Sequence, residues 1–523
     1  MSLDTTLARI AQIDGTLTPV PAANAVRTVD YIVVQAGGKG TRLEHLTTNK
    51  PKALVPVENL PMIFHLFRKF PDKRFVVIAD YHREVIREYL AAFADVDYQV
   101  VDAAGSGTCA GVDQALALLP EDEPFMLVWS DLILPAAFEL PAADRDWVGI
   151  SQTFECRWSH TDGRLVEERS REHGVAGLFV FRDKSSLSGI PASGELVRWL
   201  QQMGRAFDEL GLAGTREFGL LPEYQALALE KTRPFNRATV VGERFIKEPV
   251  DKQGRSLARR ERNWYLHALE LGVDNIPTLY EFEPLTLERI DGKSIYEYTD
   301  LTLDSKRAIL GDLTAALRNL HALESAPVDS FSTREAYYGK TVERLKAIRD
   351  LIPFTDRKTI MVNGRECRNV YFYKRDLERA LDALSVERFA FIHGDPTFSN
   401  LMLRGGTKPV LIDPRGYFGY TELYGDPNYD WAKLYYSVVG NYDQFNLRNF
   451  RLSLNPESVD LAVDSSGWES LEEDLLALSG ADPRTIRLLH AVIWLSLTTY
   501  AWHDYDSICG AFFTGLYYLE EAL

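Results

Sequence analysis

Cysteine is scarce in this sequence, long apolar runs are absent, and basic residues are outnumbered by acidic ones. Each shortage excludes something. Four cysteines in 523 residues, Cys109, Cys156, Cys367 and Cys509, stand far apart. They form no Cys-x-x-Cys or Cys/His ligand spacing, which argues against a structural zinc site and favours a reducing, cytoplasmic setting. No stretch approaches the roughly 18 consecutive apolar residues of a membrane span, so no membrane role is expected. The N-terminal segment also lacks the cationic stretch and apolar core of a signal peptide. Lys and Arg total 58 against 75 Asp and Glu, a formal charge of −17. A surface of that sign repels a phosphate backbone, so nucleic acid is not an expected partner, although a local basic pocket for a nucleotide is allowed.

What is present is ordinary globular composition, 46% hydrophobic and 25% charged. The length predicts three or four domains, or two large ones. Residues 1–29 read as an N-terminal arm, with a short helix Leu3 to Ile13 and a connector Pro19 to Ala25. From Tyr31 the pattern alternates. Apolar runs at Tyr31–Ala36, Phe75–Ala79, Tyr98–Val101 and Phe125–Trp129 are separated by helical periodicity at Glu84–Phe93 and Ala110–Leu119. That alternation predicts βαβ units and a mostly parallel sheet with helices on both faces. Gly177–Phe181 is a further strand, and the domain is expected to close near Thr232, after a helix Leu221–Glu230. A second unit follows: residues 233–292 are β-rich around Ala238–Lys247, helix Ser256–Leu271 and strands Leu279–Glu283 and Leu285–Ile290. Residues 293–523 turn mostly helical, most clearly at Ser305–Leu323. The predicted fold class is α/β: a Rossmann-like N-terminal domain (30–232), then a bilobal, protein-kinase-like α+β part.

Gln35-Ala-Gly-Gly-Lys-Gly-Thr-Arg-Leu43 follows the first strand directly. Gly37, Gly38 and Gly40 let backbone amides approach a phosphate closely. The loop is not a Walker A motif, because GxxxxGK[ST] cannot be drawn through it. Asn49-Lys-Pro-Lys-Ala-Leu54 comes next. Together GGKGTRL and PKAL resemble the nucleotidyltransferases that join an NTP to a phosphorylated small molecule, over about residues 30–232. Tyr81-His82 with its helix, and Gly107-Thr108 in the place of the family's GTA-type base-recognition segment, extend the likeness; Cys109 replaces the usual Ala. Ser130-Asp131 stands where the family keeps a Gly-Asp pair. The resemblance implies that Gly37, Gly38, Gly40, Thr41, Gly107 and Thr108 bind the nucleotide. Arg42 would hold the phosphates that leave, Lys52 would sit between the α-phosphate and the incoming phosphate, and Asp131 would hold Mg²⁺. A second metal carboxylate is expected, with Asp183 and Glu217 as candidates.

His393-Gly-Asp-Pro-Thr-Phe-Ser-Asn400 follows the apolar run Phe389–Ile392, and Ile412-Asp-Pro-Arg-Gly416 follows Pro409–Ile412. Asp-x-x-x-x-Asn matches the catalytic-loop spacing of protein kinases, with the later Asp in the DFG position. HGDxxxxN with IDP resembles the aminoglycoside phosphotransferase and choline kinase family, over about residues 236–505. By that resemblance Asp395 accepts the proton of the substrate hydroxyl, and Asn400 and Asp413 bind Mg²⁺ on ATP. Lys247 pairs with the α/β-phosphates and Glu261 orients Lys247. Glu288-Arg-Ile-Asp-Gly292 forms the hinge, with backbone groups around Arg289 and Ile290 facing adenine. No GxGxxG precedes Lys247. His393 reads as structural.

The two halves chain naturally. A hydroxyl acceptor and ATP would give a phosphate ester, which CTP or another NTP would convert to an NDP-activated donor for surface (capsular) polysaccharide synthesis. The acceptor reads as a choline-like alcohol or a sugar. A sugar-1-kinase paired with a sugar-nucleotide pyrophosphorylase is the alternative, and a non-catalytic nucleotide-binding scaffold is a third reading. Aromatics of the C-terminal part, including Tyr429, Tyr436, Tyr442 and Trp494, suit either a cation–π cage or plain helix packing. Asp426 and Asp430 suit either acceptor contact or helix capping. A homo-oligomer is compatible with the sequence.

Overall fold

The computed structural model of the chain describes residues 27–221, 224, 236–250 and 252–523. The expected helix Leu3–Ile13 and connector Pro19–Ala25 lie outside the described residues, as do most of the expected helix Leu221–Glu230 and the boundary at 232–233. The chain forms two compact units that do not follow sequence order. One takes the described residues up to Gly37 with His65–Asp80 and Val96–Glu217. The other takes Gly38–Phe64, Tyr81–Asp95 and Phe218–Leu523.

The first unit is built on a nine-stranded sheet. Tyr31–Gln35 lies at its centre, parallel to Arg74–Ala79 on one side and to Phe125–Trp129 on the other. Asp97–Asp102 continues the parallel run beside Arg74–Ala79. Val33, Ile78 and Leu127 are fully buried, as strands covered on both faces require. The parallel pattern stops at Gly174–Phe181, which is antiparallel to Phe125–Trp129 and carries Trp147–Ser151 on its other edge. The helix expected at Ala110–Leu119 is confined to Val112–Ala117, because Gly111 before it is left-handed (φ +79°).

The second unit opens with a four-stranded antiparallel sheet in the order Asn236–Val241, Arg244–Pro249, Leu285–Glu288, Leu279–Phe282. The stretch Ala238–Lys247 is therefore two strands, because Gly242 (φ +60°) turns the chain between them. Helix Lys252–Glu270 follows, and its Trp264 and Tyr265 are fully buried with Leu313, Leu317, Phe391 and Trp431 in the core of the helical lobe. That lobe holds Leu303–Leu323, Pro427–Val438, Pro483–Leu497 and Tyr505–Ala522. It also holds a four-stranded sheet, Arg365–Arg368, Thr359–Val362, Ser458–Val463, Phe450–Leu454, which a helical reading of 293–523 does not contain. The segment Gly38–Phe64 belongs to this unit. Asn49 Nδ2 donates to Leu452 O at 3.0 Å, and the Phe64 and Trp502 rings lie 5.5 Å apart.

Candidate active sites

In the first unit the expected residues gather around Gln35, at the carboxyl end of the central strand. Its side-chain amide donates to Thr108 O at 2.6 Å, and its carbonyl accepts from Ser130 N at 3.2 Å. Gly37, Gly107-Thr108 and Ser130-Asp131 therefore surround one residue, at the strand ends where parallel α/β sheets bind ligands. Gly37 packs on Asp80, whose Cβ would lie 2.6 Å from an added Cβ. Gly107 is left-handed (φ +81°) and has no room beside Gly194 O, 2.3 Å from an added Cβ. Thr108 Oγ1 accepts from Leu196 N at 2.8 Å, which leaves its hydroxyl hydrogen to donate.

Of the two candidates for a second carboxylate, Glu217 is the one beside Asp131. Arg216–Glu217 pairs antiparallel with Leu132–Ile133, and Glu217 stands opposite Leu132. The Cys156 thiol is pushed up to about 12 by burial and then by the charges of Glu217 and Asp131, so both carboxylates act on one sulfur. Asp183 is occupied elsewhere: it caps the short helix Lys184–Leu187 by accepting from Ser185 N at 2.9 Å. Carboxylate oxygens suit a hard divalent cation, so Asp131 with Glu217 fits Mg²⁺.

In the second unit Gly40 (φ +61°) turns the loop, and a Cβ there would meet Lys52 Cβ at 3.0 Å. Lys52 N donates to Gly38 O at 3.3 Å. A Cβ at Gly38 would meet nothing within 4 Å. Thr41 and Arg42 are exposed, and the Arg42 guanidinium makes no ion pair among the described residues; Lys52 is buried. Tyr81 and His82 brace the loop, the hydroxyl donating to Thr47 O at 3.1 Å and the His82 ring meeting Thr48 O at 2.9 Å.

The kinase-like site is also in the second unit. Lys247 Nζ lies 2.7 and 2.8 Å from the two Glu261 oxygens and 2.5 Å from Asp413 Oδ1. Strand alternation buries Lys247 and leaves Glu248 exposed. Asp413 is held left-handed (φ +52°), a conformation non-glycine residues rarely keep without a local reason. Asn400 Nδ2 donates to Asp395 O at 2.9 Å and Oδ2 at 3.2 Å, which leaves its amide oxygen for a cation. With Asp413 this again is a hard oxygen set that fits Mg²⁺. At the hinge, Arg289 N already donates to Glu243 O at 2.8 Å. Ile290 N has no acceptor among the described residues, so it is the hinge amide left for a base.

His393 is fully buried, and burial holds its imidazole below the ordinary value. Its Nε2 meets Ile412 O at 2.9 Å and its Nδ1 accepts from Asp395 N at 3.3 Å, a structural role. Four further residues complete the site: Asp426 and Asp430, which the sequence left open between acceptor contact and helix capping, Arg415 of the IDPRG segment, and Lys433, which no motif singled out. Asp430 clamps the catalytic loop by accepting from His393 N at 2.9 Å, Gly394 N at 2.7 Å and the His321 ring at 2.9 Å. Asp426 caps helix Pro427–Val438 and accepts from Tyr337. Lys433 Nζ lies 2.9 Å from Asp395 Oδ1, and Arg415 Nη1 donates to the Tyr429 hydroxyl at 3.2 Å. The helical i, i+4 spacing of Tyr429 and Lys433 was the available signal for Lys433. Of the aromatics considered for a cage, Tyr436 and Trp494 are buried in packing contacts with each other, 4.7 Å between ring centroids.

Two family models match the chain. Residues 32–140 match the family model of a MobA-like NTP transferase domain, and residues 255–461 match that of the phosphotransferase enzyme family. The chain is a transferase fusion: a nucleotidyltransferase-type domain followed by a kinase-like phosphotransferase domain. The UTP–glucose-1-phosphate uridylyltransferase AglF of Haloferax volcanii is 36% identical over 111 residues, 20% of this chain and 44% of that protein. The mannose-1-phosphate guanyltransferase of Gibberella zeae is 32% identical over 119 residues, 20% of this chain and 32% of that one. The chain thus spans less than half the length of these curated relatives. Among solved structures, the inositol-1-phosphate CTP transferase from T. maritima is 16% identical with a TM-score of 0.32, covering 37% of this chain and 91% of that one. The CTP:phosphocholine cytidylyltransferase LicC from Streptococcus pneumoniae is 18% identical with a TM-score of 0.29, covering 38% and 97%.

Proposed function

We propose that the chain is a bifunctional kinase and nucleotidyltransferase acting on one small molecule. In the C-terminal part Asp395 accepts the proton of a substrate hydroxyl. The oxygen attacks the γ-phosphorus of ATP, the bond to the bridging oxygen breaks, and ADP leaves. Lys247, held by Glu261, neutralises the remaining phosphates, and Ile290 receives the base. In the N-terminal part an oxygen of the new phosphate ester attacks the α-phosphorus of CTP or another NTP, and pyrophosphate leaves. The glycine loop with Thr41 cradles the nucleotide and Gly107-Thr108 meets its base. Arg42 takes the charge of the leaving phosphates, and Lys52 lies between attacking and attacked phosphate. Catalysis at both sites is positioning and charge neutralisation. Asp131 with Glu217, and Asn400 with Asp413, would hold Mg²⁺, which when bound neutralises phosphate oxygens.

The observation that carries the reading is the Lys247 ammonium, already gripped by Glu261 and Asp413 at 2.5–2.8 Å in the same unit as the Asp395–Asn400 pair. The assembly around Gln35, with Glu217 beside Asp131, supports the second half. The product is an NDP-activated donor of the kind consumed in surface polysaccharide synthesis, made in the cytoplasm. Relatives named for glucose 1-phosphate and mannose 1-phosphate favour a sugar or sugar-like acceptor. No helix among the described residues is long and apolar enough to cross a membrane. The test is one reaction with Mg²⁺, ATP, each of CTP, UTP and GTP, and a panel of alcohols and sugars, followed by phosphorus NMR. A phosphomonoester that then becomes a nucleoside diphosphate ester is expected. Turnover that is unchanged in both Asp395→Asn and Asp131→Asn would sink the assignment.

A further inference from the structure

The surroundings of Asp395 carry more positive charge than ATP chemistry requires. Lys433 Nζ pairs with Asp395 and lies 5.9 Å from the Tyr429 ring centroid and 5.4 Å from that of Tyr436. Lys340 Nζ also lies 5.9 Å from the Tyr429 ring. Arg415 reaches the Tyr429 hydroxyl and donates to the Tyr417 hydroxyl at 3.1 Å. Arg344, one turn beyond Lys340 on helix Lys340–Ala347, has its guanidinium 5.8 Å from the Tyr500 ring and donates to Ser496 O. Four cations from three elements thus converge next to the proton-accepting carboxylate.

Their compensation is incomplete. Lys433 has Asp395, and Arg415 has two phenols. Lys340 and Arg344 have no carboxylate partner within ion-pair distance among the described residues. The Lys340 ammonium is pushed well below its ordinary value by burial and by the charges of Arg415, Arg344 and Lys433, an effect Glu335 only partly offsets. The other carboxylates nearby are committed: Asp426 to Tyr337 and its helix cap, Asp430 to His321, His393 and Gly394. Holding half-buried like charges together without a counterion costs folding free energy, and such cost is characteristic of sites that receive the opposite charge. ATP has its own set in Lys247, Asn400 and Asp413. A quaternary ammonium is a poor guest here, because Lys340 and Lys433 already lie against the Tyr429 and Tyr436 rings, where its cation–π contacts would form.

We propose that the acceptor is a hydroxylated small molecule that itself bears an anionic group, a carboxylate or a phosphate, held by Lys340, Arg344 and Arg415 so that its hydroxyl meets Asp395. This rests on the reading of Asp395 as the proton acceptor of a kinase, and it narrows the acceptor of that reading to an anionic one. The full-length chain is assayed for acceptor-dependent ADP release with matched compounds: glycerol, D-glycerate and glycerol 3-phosphate; glucose, glucuronate and glucose 6-phosphate; and choline. An anionic member is expected to exceed its neutral counterpart by about 100-fold or more in kcat/KM, since a site built for a charged group rejects the analogue lacking it. The carboxylate and phosphate arms tell the two sources of charge apart. Lys340→Met and Arg344→Met are each expected to shrink that ratio by roughly tenfold or more, and Lys340→Arg to restore much of it.

Binding supplies a second readout. With a non-hydrolysable ATP analogue present, equilibrium dialysis of D-glycerate and glycerol 3-phosphate should show at least one binding more weakly to Lys340→Met than to the unmodified chain. Equal binding of both probes to the two proteins overturns the inference, and so does preference for a neutral acceptor or choline. Either result leaves the kinase reading in place if Asp395→Asn is inactive. An Asp395→Asn variant as active as the parent removes the kinase reading itself.

Discussion

Lys50, in the loop that carries Arg42 and Lys52, has its ammonium 2.9 Å from Asp504 Oδ1, at the start of the last helix of the kinase-like lobe. Asp506 lies 2.5 Å from the same nitrogen, and Arg448 Nε lies 3.8 Å from Asp504. Lys50 is 2% exposed, yet the two carboxylates overcome burial and keep it charged. Removing one partner of a buried ion pair leaves an uncompensated charge and costs about 3–5 kcal/mol. Lys50→Met is therefore expected to lower the free energy of unfolding, read from urea titration, by about 3–5 kcal/mol. The triple variant with Asp504→Asn and Asp506→Asn should recover much of the loss. A Lys50→Met chain as stable as the parent would show the pair to be solvated.

Lys247 and Glu261 separate a phosphate contact from its support. Lys247→Met is expected to cut phosphorylation of the acceptor by about 10²–10³-fold, the scale of losing one preorganised charge at a transferring phosphate. Glu261→Gln keeps a hydrogen-bonding partner for Lys247 and should cost less. Nucleotidyl transfer, supplied with preformed phosphate ester, should persist in both variants.

Asp131 and Glu217 test the other half in the opposite sense. Asp131→Asn and Glu217→Gln should each abolish most nucleotidyl transfer while leaving phosphorylation intact. Asp183→Asn should leave nucleotidyl transfer intact, because Asn caps as well as Asp and can still accept from Ser185 N. Comparable nucleotidyl-transfer losses in Asp183→Asn and Glu217→Gln would mean that the wrong carboxylate has been placed beside Asp131.

His490 sets an acid limb of stability. It is 1% exposed, accepts from Trp494 Nε1 at 2.9 Å, and is pushed down to about 3 by burial. The unfolded imidazole titrates near 6.5. Above that value the ring is neutral in both states and its titration leaves stability unchanged. As the pH falls from about 6.5 toward 3 the unfolded state takes the proton first. The folded state then loses on the order of 4–5 kcal/mol from this group. His490→Gln keeps an acceptor for Trp494, and its midpoint is expected to depend less on pH between about 4 and 6.5. An unchanged pH slope would place the acid limb elsewhere.

Much of this was legible in the sequence. The glycine loop, PKAL, HGDxxxxN and IDP named the two transferase types, and the strand–helix alternation named the parallel core. What misled was local. Ala238–Lys247 alternates like one strand, but Gly242 turns it. The strands Thr359–Val362 and Phe450–Leu454 are short and far apart in sequence, so their shared sheet leaves little periodic signal. Glu217 could not be chosen over Asp183 by spacing, because the choice depends on which strand pairs with Leu132–Ile133.

By itself the sequence determined the groups on offer: glycine loops, carboxylates and amides whose types and short-range spacing are covalent facts. Only the tertiary structure decided which distant charges meet. Lys433 reaches Asp395, Lys340 and Arg415 converge on Tyr429, and Lys50 finds Asp504. These contacts follow from packing of helices and loops whose side chains carry no local pattern. Coulomb energy falls with distance and grows as water is excluded, so the same lysine is a solvated surface charge or half of a buried ion pair according to its position alone.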